Sequence, residues 1–366
     1  MDSTALTSTF SINLNPAAAT DQQRAAAMEA PVFGEVFTDH LARVTWTAAE
    51  GWHNHRIEPL ADLAIHPGAT ILHYGQQAFE GLKAYVHADG SVWLFRPEAN
   101  AARLTASAAR MALPALSEQD FLTAIEALVA TDRAWVPEGD ETSLYLRPTL
   151  IGTEPTLNVR ASRIVEFVLM ACPVGAYFPN GVKPVSIWVA QGYHRAGPGG
   201  TGTAKSAGNY AASLLPQQQA QDNGCQQVLF LDAREDKYIE ELGGMNVFAV
   251  RSDGSVLTPR LTGTILEGVT RSSVMTLLKE SGREVEECDI TLEELRAGIE
   301  SGEIAEVFAC GTAAVVTPLG SLKSPDFDVT VGTGEAGPVT MSVRERLTDI
   351  YYGRADDSHG WMRRIG

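Results

Sequence analysis

From residue 197 to 202 the chain reads Gly-Pro-Gly-Gly-Thr-Gly, a run that neither a helix nor the interior of a sheet tolerates. Proline removes a backbone donor, and the glycines leave the backbone with more freedom than a regular element can hold. Gly192–Gly208 is therefore loop, and the pattern of the chain differs on its two sides. Residues 1–30 are rich in Ala, Thr, Ser and Gln and read as a weakly ordered lead-in. From Phe33 short strands and turns take over. Trp93-Leu94-Phe95 follows the turn Ala88-Asp89-Gly90 as a hairpin does. Helices fit Asn100–Met111 and Glu118–Ala134, the second with Ser117 as its cap. A strand fits Ser143–Leu146, stopped by Pro148, and another fits Ile164–Met170, apolar except for Glu166.

Beyond the glycine loop a helix is expected over Tyr210–Gln221, then strands at Val228–Leu231 and Asn246–Val250. The second strand turns at Ser252-Asp253-Gly254 into a third. A helix starts near Thr270, another follows the capping box Thr291-x-x-Glu294, and a strand spans Glu306–Ala309. With 366 residues there is room for two domains. The reading is a mixed α+β chain: a smaller domain at 31–178, an interdomain loop at 179–200 and a larger domain at 201–366.

Hydrophobic residues make up 45% and charged residues 20%, so both domains can bury a core. The formal net charge of −17 opposes nucleic acid and anionic lipid, whose binding depends on clustered cations. No stretch of about 18 apolar residues is present to form a membrane helix. Met1–Ala30 carries Asp2, Asp21 and Glu29 against one arginine, Arg24, unlike a secretory or organelle leader. The four cysteines, Cys172, Cys225, Cys288 and Cys310, form no CxxC pair, so neither zinc nor a disulfide framework is indicated. His53-x-His55 lacks a third ligand, and no metal is expected. A cytoplasmic protein with reduced thiols is the expectation.

Four segments could carry chemistry. Lys205 ends the glycine loop just before a helix, but Gly202 is too far ahead of it for a nucleotide P-loop. Gly197–Gly202 matches G-x-G-x-x-G, yet no helix follows directly, so a dinucleotide site lacks its context. Lys205 is thus either a solvated loop lysine or a Schiff-base lysine. Gly268-Val269-Thr270-Arg271 opens a helix, where backbone donors and the dipole favour a phosphate, and Gly311-Thr312-Ala313 follows a strand with further donors. Glu241 is either one of the surface acids around Glu235–Glu240 or a carboxylate set against a ring nitrogen.

Taken together, Thr203-Ala204-Lys205-Ser206-Ala207-Gly208-Asn209-Tyr210, Glu240-Glu241-Leu242-Gly243-Gly244-Met245-Asn246, Gly268–Arg271 and Cys310–Ala313 resemble the branched-chain aminotransferases. These are fold-type IV enzymes that use pyridoxal 5′-phosphate (PLP). Phe33-Gly34, His73-Tyr74, Phe79-Glu80-Gly81, Tyr145-Leu146-Arg147-Pro148, Cys172–Tyr177 and Gly360-Trp361-Met362 extend the likeness from about residue 33 to the C-terminus.

The resemblance implies a two-domain fold-type IV architecture. It implies that Lys205 holds the cofactor aldehyde and shuttles the proton, while Tyr210 bonds the phenolic oxygen and Glu241 pairs with the pyridine nitrogen. Arg103, Leu266, Gly268, Val269, Thr270 and Thr312 complete cofactor binding. Phe33, Tyr74, Phe79, Tyr145 and Tyr177 form an aromatic pocket for an aliphatic side chain. The backbone of Thr312 and Ala313 receives the α-carboxylate, and Arg147 the second carboxylate of glutamate. The activity implied is transamination between L-leucine, L-isoleucine or L-valine and 2-oxoglutarate, in a homodimer to which the partner contributes through Tyr74. D-amino-acid aminotransferase and aminodeoxychorismate lyase share the fold and are the rival readings, beside a PLP-binding protein without turnover.

Two departures stand out. Eukaryotic relatives carry a redox CxxC after the Gly-Thr-Ala segment, where this chain has Ala314-Val315-Val316-Thr317. They also carry a threonine where this chain has Gly244.

Overall fold

The computed structural model describes residues 10–176 and 181–366. The chain forms two compact units. The first takes the chain up to Ala176 and recovers Ala204–Ala207 and Ile350–Gly366; the second takes the chain from there to Thr203, and Gly208–Asp349.

A nine-stranded sheet organises the first unit, in the order Ser11–Ile12, Gly51–Pro59, His40–Thr47, Ile164–Val174, Ser143–Gly152, Leu82–Val86, Val92–Phe95 and Met362–Arg364. Gln77–Phe79 pairs beside this path with Ser143–Gly152. Two helices, Pro97–Arg110 and Glu118–Thr131, bury Leu104, Ala108, Phe121, Ile125 and Leu128 in one core with Val44, Leu94 and Phe167. Ser117 caps the second helix as expected, its hydroxyl accepting from Asp120 N at 3.0 Å. Glu166, the one acid in an apolar strand, is buried and takes a bond from Arg43 Nε at 2.9 Å.

Two expectations for this unit need correction. Pro148 does not stop its strand, which runs from Ser143 to Gly152. On one side Leu146 pairs with Leu82 and Thr149 with Phe79, so Pro148 falls in the gap between two neighbouring strands. A proline is tolerated where the ladder is interrupted, and its carbonyl still accepts from Glu80 N at 2.8 Å. The lead-in also holds a helix at Asp21–Glu29, started by a capping box between Thr20 and Gln23.

In the second unit Ile239–Leu242, Gln227–Leu231, Val185–Val189, Val315–Lys323, Ile304–Gly311 and Asn246–Arg251 are neighbours in that order. The last pairs back with the first through Glu241 and Asn246, closing a ring of strands and leaving no edge there. Alternate residues of Val185–Val189 are buried, as a half-covered strand requires. The helix expected over Tyr210–Gln221 is broken into Ala207–Ala211 and Leu214–Asp222. At the break the Ser213 hydroxyl bonds back to the carbonyls of Asn209 and Tyr210, a competitor to the helical ladder. Thr291 and Glu294 make both bonds of the capping box that opens Leu292–Ser301.

Candidate active site

In the first unit the backbone around Lys205 is fixed on both sides. Lys205 N donates to the buried Ser107 hydroxyl at 2.9 Å, Phe79 N donates to Lys205 O at 2.9 Å, and Ala207 N donates to Gln77 Oε1 at 2.9 Å. Lys205 is therefore not a solvated loop residue. It is partly buried, with Nζ 4.9 Å from the centre of the Phe79 ring. Arg147 lies over the same ring at 5.0 Å and over Tyr145 at 5.2 Å, and its Nη2 donates to the Tyr145 hydroxyl at 2.9 Å. Phe33 meets Tyr145 edge-on at 4.8 Å. Gly81 is required by this packing, because a Cβ there would stand 2.0 Å from the Tyr145 hydroxyl oxygen.

Arg103 projects from the helix Pro97–Arg110 onto Glu80, a wholly buried carboxylate. Its Nε and Nη2 reach the two carboxylate oxygens at 2.7 and 2.9 Å, and Asn100 Nδ2 adds a bond at 2.7 Å. Burial opposes ionisation of Glu80, but the charge and hydrogen bonds of Arg103, with Lys205 and Asn100, outweigh it. The carboxyl sits below its ordinary range.

Tyr74 stands apart from this cluster. It ends the short helix Thr70–Tyr74, donates its hydroxyl to Leu157 O and is 40% exposed. Tyr177 lies outside the described residues.

In the second unit Glu241 is buried on the strand that closes the ring, so it is not a surface acid. Its Oε1 takes bonds from Leu266 N at 2.9 Å and from the buried Arg195 at 2.8 Å, while Asn246 Nδ2 lies 3.3 Å from Oε2. Asn246 also donates to Leu266 O at 3.0 Å. Gly268 caps the helix Val269–Glu280, and a Cβ there would stand 2.1 Å from Asn246 Oδ1. The first turn, with Val269 and the buried Thr270, is the donor-bearing end of a helix, suited to an anion. Thr312 and Ala313 lie in the turn between Ile304–Gly311 and Val315–Lys323. Val315 just beyond has φ +61°, a left-handed conformation costly for a β-branched residue. Arg344 Nη1 holds that turn by donating to Ala314 O and Val316 O at 3.1 and 3.0 Å.

Tyr210 lies on Ala207–Ala211, the helix after the glycine loop. A Cβ on Gly244 would be 3.9 Å from Tyr210 Cε1, ordinary van der Waals contact. Thr201 and Asn209 brace the loop by two bonds, at 2.7 and 2.8 Å. Gly202 presses against Thr264, whose carbonyl oxygen would be 2.4 Å from an added Cβ. Arg195, Asn246 and Glu80 are the members that motif reading passed over. Arg195 lies early in the loop without any patterned spacing, whereas Glu80 and Asn246 had a signal, their places inside Phe79-Glu80-Gly81 and Glu240–Asn246.

The second unit holds a buried carboxylate and an anion-suited helix start, and the first a partly buried lysine on an aromatic ring. The model of the family described as amino-transferase class IV matches residues 77–322. The chain belongs to this family. As a class IV aminotransferase it is 50% identical, over 100% of both chains, to the branched-chain-amino-acid aminotransferase of Mycolicibacterium smegmatis. Among solved structures, the branched-chain amino acid aminotransferase of Escherichia coli superposes with a TM-score of 0.72. It is 29% identical and covers 89% of this chain and 100% of its own. The enzyme of the same description from Thermobaculum terrenum, in its PLP form, gives a TM-score of 0.73 at 26% identity, covering 90% of this chain and 98% of its own. Among the described residues no helix is long and apolar enough to cross a membrane.

Proposed function

We propose that this chain transfers the amino group between L-leucine, L-isoleucine or L-valine and 2-oxoglutarate, with PLP as cofactor. The observation that carries the reading is Lys205, braced at its backbone with its amine on the Phe79 ring, in a chain half identical end to end to a branched-chain-amino-acid aminotransferase. The residues present fit PLP. Glu241 is a buried carboxylate held by donors, as a protonated ring nitrogen requires, and the Gly268–Thr270 helix start is suited to a phosphate. When bound, PLP supplies an aldehyde for an amine and an electron-poor ring that stabilises negative charge at the substrate Cα.

In this reading Arg103, Leu266, Gly268, Val269, Thr270 and Thr312 hold the cofactor, and Glu241 keeps a proton at its ring nitrogen. Tyr210 donates to the phenolic oxygen. The amine of Lys205 would hold the cofactor aldehyde and, once displaced from it by the substrate amine, would be free to accept the proton from the substrate Cα, two tasks that a primary amine can combine. Phe33, Phe79 and Tyr145, with Tyr74 and Tyr177, enclose the aliphatic side chain; burying such a side chain is worth about 1.5–3 kcal/mol. Arg147 receives the second carboxylate of glutamate, and the backbone of Thr312 and Ala313 the α-carboxylate. The working form is a cytoplasmic homodimer.

A steady-state panel of L-amino acids with 2-oxoglutarate, and with D-alanine as the rival donor, tests this reading. Turnover of leucine, isoleucine and valine is expected, with none of D-alanine. Preference for D-alanine, or cofactor binding without transfer, overturns it.

A further inference from the structure

We infer that Arg195 is a positioning residue that holds Glu241 as a carboxylate directed at the cofactor nitrogen. The inference rests on the reading of Glu241 given above. Arg195 is 3% exposed and its Nη1 lies 2.8 Å from Glu241 Oε1. The same nitrogen lies 3.1 Å from Thr264 O and 3.3 Å from Gly202 O. One guanidinium thus joins the end of the glycine loop, the segment leading to Leu266 and the carboxylate at the closure of the strand ring. Gly202 admits no side chain against Thr264, which keeps those two carbonyls close enough to share the cation.

The charge arithmetic explains what the cation does. A buried carboxylate with no cation beside it tends to take up a proton and become neutral. A carboxyl and a ring nitrogen that share a proton have two states, neutral acid with neutral ring, or carboxylate with protonated ring. Arg195 stands nearer the carboxylate than any group bonded beyond it, so attraction to the carboxylate exceeds repulsion from the ring cation. The charged pair is favoured. At the neighbouring acid, Glu240, burial pushes the carboxyl up, against the Thr264 hydroxyl bond and the attraction of Arg195.

Infrared spectra of the cofactor-free full-length protein test the charge relation without reference to PLP. Arg195→Met should show a protonated carboxylic acid band that belongs to Glu241. That band should be missing from wild type and Arg195→Lys, and should vanish in Arg195→Met/Glu241→Gln. If Arg195→Met does not fold, Arg195→Gln, which can still donate to Thr264 O and Gly202 O, replaces it. Nitrogen NMR of protein loaded with ring-labelled PLP then reads the cofactor side. The resonance should be that of a protonated ring in wild type and Arg195→Lys and should move toward the neutral ring in Arg195→Met. The kcat for L-leucine should fall roughly tenfold or more in Arg195→Met, with KM little changed. Absence of a new acid band, or an unmoved ring nitrogen in Arg195→Met, overturns the inference. A ring resonance that also ignores Glu241→Gln overturns the assignment of Glu241 itself, a failure separable from the first by the infrared result.

Discussion

Arg103 and Glu80 form a two-point ion pair, Nε to Oε1 at 2.7 Å and Nη2 to Oε2 at 2.9 Å, with the carboxylate wholly buried. The arginine that the proposed function assigns to cofactor binding is therefore oriented by an acid of its own unit. Its planar fork is fixed before any ligand arrives, so less freedom is lost on binding.

Removing one partner leaves the other as a buried charge without its main compensation. Arg103→Ala should cost about 3–5 kcal/mol of stability and weaken PLP retention, and Arg103→Ala/Glu80→Gln should recover part of the stability but not the retention. Denaturant unfolding and cofactor loss on dialysis measure the two effects. Equal stability of Arg103→Ala and wild type would show that Glu80 does not need its arginine.

Asp232 supplies a pH signature. Burial opposes its ionisation, but backbone N–H donors from Tyr238, Lys237, Glu235 and Arg234 prevail and lower its carboxyl to about 2. The folded value lies below the ordinary 3.8, so the stabilisation is present above that value and is lost as pH falls through about 2. Asp232→Ala should cost roughly 2 kcal/mol near neutrality, with the gap from wild type closing between about pH 4 and 2. Denaturant midpoints measured across that range decide; parallel curves would contradict the role of the loop bonds.

The missing CxxC has a counterpart in the thiols. Cys310 is wholly buried, and burial pushes its thiol up to about 12. Cys172 and Cys225 are also buried, leaving Cys288 as the one partly exposed thiol of the four in the sequence. At about pH 8 a disulfide reagent should modify at most Cys288 in the native protein and all thiols after unfolding. Mild oxidants should leave turnover unchanged. Fast native modification of Cys310 would contradict this.

Local chemistry was legible in the sequence wherever a few adjacent residues decide the structure. Ser117 and the Thr291/Glu294 box cap their helices, and the turns at Asp89-Gly90 and Asp253-Gly254 join paired strands. The break at Ala212–Ser213 escaped because a serine hydroxyl that bonds backward leaves no mark in apolar periodicity. Pro148 misled because its tolerance depends on which strands flank it, a fact of the sheet and not of the segment. The candidate site divides in the same way. Lys205, Glu241 and the Gly268 helix start stood out in short motifs, whereas Arg195 reaches Glu241 from a segment with no motif of its own.

The most direct test of the account is the rate at which L-leucine and 2-oxoglutarate yield L-glutamate in PLP-saturated wild-type protein and Lys205→Ala. The account predicts turnover in the wild type and a loss of more than about 10³-fold in the variant, since the residue lost is both the covalent anchor and the base. A variant that retains the wild-type rate, or a wild type that forms no glutamate, would contradict it.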